Sequence, residues 1–503
     1  MAMSTAVKEG PKIAICGAGI SGLTLAGMLS KELGPKLQLK IFERAPEDRD
    51  QGYGLDLDEY GQEALARAGL YHRYWDFSKP YSDSWSVCPM HFRGATPEPY
   101  LIMFRPKLLQ KMFAGFGAQP ESNRAAFRAV ILEALAERGN NEIFWGLPAT
   151  DIREIKSDEV DVSRAELLAA DGKSLGTFDL VVDTSGLHSP LRHHRVIDEA
   201  KKVYAGSVLV HGIIDSPEDV WPKELLNLFG RHGNLVGAGV KSRIGVQRFG
   251  CSVEDNRTAV LLDIRMEGGD EAVFREIGIE RPTSRKTGII TDAERMAKVK
   301  GWVHESMGDH FDPLWHSLID SMNRITIRSE YRHGPTELRD NVSLPLICIG
   351  DSLRNCGIGG GGNLALQDAT DLASALAAPG VFDEVSGKLR SLETIRKVEP
   401  TMLERKKEFN DKKDKAYALF DTLSKNGNRE FSFKDLPTVF PNFWTRLGVQ
   451  FCFSFVRPIL KAWYRLEASW GCAGSDSTSR VFGNVQAVLD AQKKGELSAK
   501  AAK

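Results

Sequence analysis

Two glycine-rich stretches more than 300 residues apart limit what this chain can fold into. The first, Cys16-Gly17-Ala18-Gly19-Ile20-Ser21-Gly22, follows the apolar run Lys12-Ile13-Ala14-Ile15-Cys16 and precedes Leu23, Leu25, Ala26, Met28 and Leu29 at helical spacing. A second apolar run, Leu37 to Phe42, ends at Glu43, about 20 residues after the last glycine. This is a strand, helix, strand unit with an acidic terminator. Gly17 permits the tight turn, Gly19 lets backbone approach a pyrophosphate, and Gly22 lets helix and strand pack closely. The helix N-terminus, Ile20-Ser21-Gly22, offers free N–H groups and the positive end of the helix dipole, and Glu43 can accept hydrogen bonds from a ribose diol. By itself the motif does not distinguish NAD from FAD.

The second stretch begins with the buried-type strand Leu344 to Ile349, runs through Gly350-Asp351, and reaches Gly357-Ile358-Gly359-Gly360-Gly361-Gly362-Asn363 before a helix over Leu364 to Ala373. Glycines at a helix start expose N–H donors to an electron-rich ring edge. Between the two stretches the spacing predicts helices over 62–70 and 123–132, a β-rich section from Glu142 to Leu175, and the apolar strand Leu180-Val181-Val182. That strand delivers Asp183, Gly186, Ser189 and Arg192. From Val203 to Met266 short alternating strands predict an antiparallel sheet able to roof a site, and helices over 301–307 and 313–322 follow.

At 503 residues the chain needs two or three cores, and a formal net charge of -1 gives no footprint for nucleic acid. Seven cysteines without a C-x-x-C pair point to a reducing compartment, with neither a disulfide framework nor a zinc site. The polar start Met1 to Lys12 has no secretory apolar region, and no run approaches the length of a spanning helix. The cytoplasm is the expected location.

The ordered set of Gly17, Gly19 and Gly22 with Glu43-Arg44, Arg124 in an R-x-x-F-R-x-x-x-L helix, Asp183-x-x-Gly186-x-x-Ser189-x-x-Arg192, and Gly350-Asp351 resembles the single-component (group A) FAD-dependent aromatic hydroxylases, which share the fold of p-hydroxybenzoate hydroxylase. Within that family, Gly54-Leu55-Asp56-Leu57, Gly61-Gln62-Glu63-Ala64 and Ala68-Gly69-Leu70 are most similar to the flavin monooxygenases that inactivate tetracyclines. The resemblance implies an α/β fold. A Rossmann-like FAD-binding domain (11–200 and 336–400) would carry an inserted antiparallel β-sheet substrate domain (201–335) and a C-terminal helical extension (401–503).

It further implies that Gly17, Gly19, Ile20, Ser21, Gly22, Glu43, Arg44, Asp56, Arg124, Asp183, Arg192, Asp351, Gly361, Gly362 and Asn363 bind FAD, with Asp351 on the ribityl hydroxyls and Glu43 on the adenosine ribose. Arg49 matches a position linked with NADPH or NADH. The implied reaction is hydroxylation or epoxidation of an electron-rich phenolic, polyketide or indole-like molecule by O₂, through a flavin C4a-hydroperoxide. It requires no catalytic acid or base and no metal, and none is assigned. The chain departs from the family in the loop Ser352 to Ile358, which is shorter and lacks proline.

For substrate contacts, His211 is the foremost candidate, with Gln247 and Phe249 in the same roof. Other contact positions of the tetracycline-inactivating branch carry Leu235, Gly237 and Leu261, an apolar set. From Thr401 the chain has 18 Lys and Arg against 11 Asp and Glu. This tail opens with a charged helix over 404–419, solvated or bridging domains. Aromatic and basic residues then interleave over 443–466, which fits packing along the flavin domain or peripheral contact with a membrane. Gln492 to Lys503 reads as disordered. Two other readings stay open: an FAD-dependent reductase or dehydrogenase of the same fold, and a non-catalytic lipid-binding escort-type protein. The oligomeric state has no sequence signal.

Overall fold

The structure is a computed structural model. It describes residues 10–426 apart from 49–53, 58, 79–86, 93–100, 105–120, 157–162, 199–202, 216, 224, 226–233, 239–241, 249–256, 267–268, 281–288, 309–310, 312, 341–342, 358–360 and 384–385. Arg49, Phe249 and the 443–466 segment therefore lie outside the described residues, as does the side chain of Asp56.

Strand β1 (Lys12–Cys16) runs into helix α1 (Ile20–Glu32) and then β2 (Gln38–Glu43). A short strand β3 (Gly54–Asp56) follows, then helix α2 (Arg124–Arg138) and strands β4 (Asn141–Trp145) and β5 (Leu180–Asp183). Next come β6 (Val203–Asp215), β7 (Ser242–Arg248), β8 (Arg257–Arg265), β9 (Arg324–Arg332) and β10 (Leu346–Cys348). Helices α3 (Gly361–Leu376) and α4 (Val398–Asn426) come last.

Strands β10, β5, β1, β2 and β4 form a five-stranded parallel sheet in that order. Such a sheet must be covered on both faces, which explains why these strands read as nearly unbroken apolar runs. One face, with Ile13, Ile15, Leu39, Ile41 and Val182, packs against α1, α2 and α3. The other, with Ala14, Phe42, Val181 and Leu346, packs against a three-stranded antiparallel sheet through Ala165, Leu167 and Phe178.

The register aligns Cys16 with Asp183 and Asp183 with Cys348. Three loops therefore leave the sheet side by side: the first glycine turn, the segment 184–192, and Gly350-Asp351. In open α/β sheets the carboxyl edge of the strands is where ligands bind.

A second, eight-stranded sheet runs in the order 289–290, β9, β6, β8, β7, 234–238, 87–92, 101–104. Strands 87–92 and 101–104, early in the chain, join its far edge. Val208, Val210, Ile214, Leu262 and Ile244 form one face, covered by helices 269–277, 293–307 and 313–320 through Val299, Val303, Trp315 and Leu318. Side chains alternate along a strand, so His211, Leu261 and Gln247 belong to the opposite face.

Candidate functional site

The glycines of the first turn have different physical reasons. Gly17 has φ +117° and lies so close to the 184 loop that an added Cβ would meet the Thr184 carbonyl oxygen at 2.7 Å. At Gly22 a Cβ would fall 2.0 Å from the Gly17 oxygen and 2.5 Å from Thr184 Oγ1. Gly19, the N-cap residue of α1, has nothing within 4 Å of such a position, so its side faces open space. Thr184 Oγ1 lies 3.0 Å from the Cys16 carbonyl oxygen and 2.8 Å from that of Gly17, locking the turn to the neighbouring strand.

Glu43, half-buried at the end of β2, accepts the N–H of Ala18 on Oε2 at 2.7 Å and of Ala45 on Oε1 at 2.8 Å. Each oxygen keeps a second lone pair for a hydroxyl. Arg44 is exposed beside it, and Ser21 and Gly22 are buried in the first turn of α1.

Asp183 is fully buried. Its Oδ1 accepts Ser185 N–H at 3.0 Å and Ser185 Oγ at 2.6 Å, and its Oδ2 accepts Ser189 Oγ, with the Cys348 thiol 3.8 Å away. Burial raises its carboxyl above the ordinary range, against the lowering effect of those hydrogen bonds. Arg192, also buried, donates to the carbonyls of Ser352, at 2.6 Å, and of Leu353. Both residues thus hold the 184–192 segment and the 350–353 turn together.

Gly350, at φ +63°, brings the second stretch against the first: an added Cβ would sit 3.1 Å from Ser21 Oγ. Its N–H donates to Asp368 Oδ2 at 2.9 Å, and Ser352 Oγ reaches the carbonyls of Asp183, at 2.5 Å, and Ile349, at 2.7 Å. Asp351 follows, its carboxyl raised by burial and by Asp368 and lowered by Lys406, by a hydrogen bond from Asn355 and by Arg124. Gly361 and Gly362 are the first residues of α3 and Asn363 is buried behind them. A Cβ on Gly361 would approach Asp351 Oδ1 at 3.9 Å, and one on Gly362 would strike Leu55 of β3 at 2.7 Å.

Arg124 opens α2, and one turn later Arg128 lies over the Trp145 ring, 4.7 Å from its centroid. His211 is buried in the centre of β6, paired in register with Leu261 and Thr326. Burial lowers its imidazole pKa well below the usual value, and Arg328 and Arg124 push it the same way, so the ring is neutral near pH 7. The charge of Arg124 is felt at both Asp351 and His211, lowering each pKa, after burial in both cases.

Gln247 is two rows from His211, in register with Ala259. Leu235 and Gly237 are in register with Val246 and Ile244, and Leu261 shares the face of His211.

Asp368, Lys406, Arg405 and Lys413 join the residues named from the sequence. Asp368, fully buried in α3, pairs with Arg405 Nη2 at 2.9 Å and Lys406 Nζ at 3.0 Å, both from α4. Its place in the i, i+4 series Leu364, Asp368, Leu372, Leu376 was a readable signal, a carboxylate on an apolar stripe.

Asp151, His193 and His194 also come within ligand spacing of one another. They lie on the outer surface, with His194 Nε2 2.8 Å from Asp151 Oδ1. Among the described residues Cys16, Cys348 and Cys356 are free and buried, and no helix is long and apolar enough to cross a membrane.

No family model matches the chain. In sequence it is similar to the FAD-dependent monooxygenase adaC of Aspergillus niger, 25% identical over 397 residues that span 73% of this chain and 84% of that protein. It is also similar to a salicylate hydroxylase of Pseudomonas putida, 27% identical over 215 residues, 42% of this chain and 45% of that protein. In fold it matches Klebsiella pneumoniae HpxO solved with FAD, with a TM-score of 0.59 at 16% identity, over 89% of this chain and 99% of that one. In sequence the chain is similar to FAD-dependent monooxygenases, which are oxidoreductases, and it shares the fold of a structure solved with FAD.

Proposed function

We propose that the chain is an FAD-dependent monooxygenase that takes electrons from NADH or NADPH. It would use O₂ to hydroxylate or epoxidise an electron-rich small molecule of phenolic, polyketide or indole-like class. One observation carries this reading: Gly350 packs against Ser21, so both glycine stretches open at one sheet edge, with the face of Gly19 clear. The donor set fits FAD, since open backbone at a helix N-terminus suits the pyrophosphate and a second helix start beside Asp351 suits the ribityl chain and ring. When bound, FAD supplies the electron transfer and oxygen activation.

The residues divide the work. Gly17, Gly19, Ile20, Ser21 and Gly22 cradle the pyrophosphate, Glu43 holds the adenosine ribose beside Arg44, and Asp351 with Gly361, Gly362 and Asn363 holds the flavin half. Arg124 lies between these groups and the substrate wall. Asp183 and Arg192 act from behind, because their polar atoms are engaged with Ser185, Ser189, Ser352 and Leu353. His211, neutral and buried, donates or accepts a hydrogen bond at a phenol or carbonyl. In this assignment 11–200 and 336–400 bind FAD and 201–335 bind substrate, with strands 87–92 and 101–104 contributing to the substrate sheet. Arg49, Asp56 and Phe249 keep the roles their positions imply, at NAD(P)H, FAD and substrate. The likeness at 54–57, 61–64 and 68–70 favours the tetracycline-inactivating branch as subgroup. A peripheral membrane contact through 443–466 remains part of the proposal, and vesicle flotation of the full chain tests it.

Purified protein should be yellow with a flavin spectrum, bleach with NADPH or NADH, and recover colour in air. Incubation with candidate phenols, polyketides and indoles should yield a product heavier by one oxygen. Protein that binds no FAD on titration would overturn the reading.

A further inference from the structure

Two carboxylates flank the Gly350 turn, Asp351 after it and Asp368 behind it, and both cations that pair with Asp368 come from α4. Lys406 is 1% exposed, an extreme for a side chain that normally keeps its ammonium in water. Its Nζ and the Gly350 N–H share Asp368 Oδ2, at 3.0 and 2.9 Å, so the charge of α4 and the backbone of the turn meet at one atom. Arg405 completes the grip, with Nη2 2.9 Å from Asp368 Oδ1 and 2.8 Å from Asp371 Oδ2. Farther along the helix, Lys413 donates to the carbonyl of Cys356 and lies 3.8 Å from Glu330 of β9. Asp414 pairs with Arg332 of the same strand at 3.2 Å. The loop 350–357 is therefore held at both ends by one helix, which is also anchored to the sheet bearing His211.

We infer that Lys406 is a positioning residue for FAD: by neutralising Asp368 it keeps the Gly350-Asp351 turn in the conformation that receives the flavin half of the cofactor. This rests on the FAD reading above. Without Lys406, Asp368 would retain, among the described residues, Arg405 as its one paired cation, shared with Asp371, and its charge would bear on Asp351 across the turn.

The test is FAD titration of deflavinated full-length protein by flavin fluorescence, together with thermal melting of the apo form. Lys406→Met should weaken FAD binding about ten-fold or more, and Lys406→Arg less. Lys406→Met combined with Asp368→Asn should return to within about three-fold of wild type, which a packing role would not produce. Wild-type affinity in Lys406→Met, or a double variant as weak as the single one, overturns the inference. If Lys406→Met does not fold, the double variant decides: ten-fold weaker binding in it has the same force. A wild-type chain that takes up no FAD instead overturns the functional reading itself.

Discussion

Gly19 and Gly22 stand three residues apart, and a methyl group would meet opposite fates at them. Gly22→Ala drives Cβ into the Gly17 carbonyl and Thr184, so the apo protein should melt earlier by several degrees or fail to accumulate. Gly19→Ala enters open space at an ordinary φ of -78° and should leave apo melting nearly unchanged while weakening FAD binding about ten-fold. Paired melting and flavin titration check both. His211→Ala should raise KM for the substrate about ten-fold and leave the affinity for FAD as it was, which steady-state kinetics and the same titration separate. The glycines were legible because a tight turn leaves a fixed local spacing. Asp368 left a local trace, a carboxylate on an apolar stripe, but its pairing with Lys406 did not, because a pair between distant helices leaves no fixed spacing. Arg192 shows a different limit, since its motif marks a cation near the cofactor without saying that the guanidinium turns to backbone carbonyls.

Among the elements, α4 carries the most consequence. Its start is fixed by Glu399, fully buried against Arg195, with Nη2 to Oε2 at 2.6 Å. Burial raises the Glu399 carboxyl even with that guanidinium beside it, so desolvation exceeds the pair's attraction. Glu399→Gln leaves Arg195 buried without its counter-charge and should cost about 3 kcal/mol by urea denaturation, whereas the apolar double replacement should cost less. The charged composition of 404–419 suggested a solvated or bridging helix; Met402, Lys406 and Asn410, recurring every four residues, form the buried stripe of a bridging one. The strands of the parallel sheet were easier to read, since burial on both faces makes them continuously apolar.

Across the whole molecule, His211 is one of several buried groups that make stability depend on pH. Its folded pKa is depressed, so below about pH 6.5 the unfolded chain binds a proton that the folded one refuses, and stability falls as pH drops through that value. Asp183, Asp351 and Glu399 are shifted upward and act oppositely, gaining stability as pH falls. The difference between wild type and His211→Gln in chemical denaturation from pH 7 to 5 isolates the histidine: the variant should lose less stability. The register that sets Cys16, Asp183 and Cys348 side by side has a consequence for biosynthesis. The central strand of the parallel sheet is made first, but its edge strand β10 and the helix that grips the turn are made hundreds of residues later. A nascent chain has the first glycine turn long before it has anything for that turn to face, and it would capture FAD only after β10 and that helix have been translated.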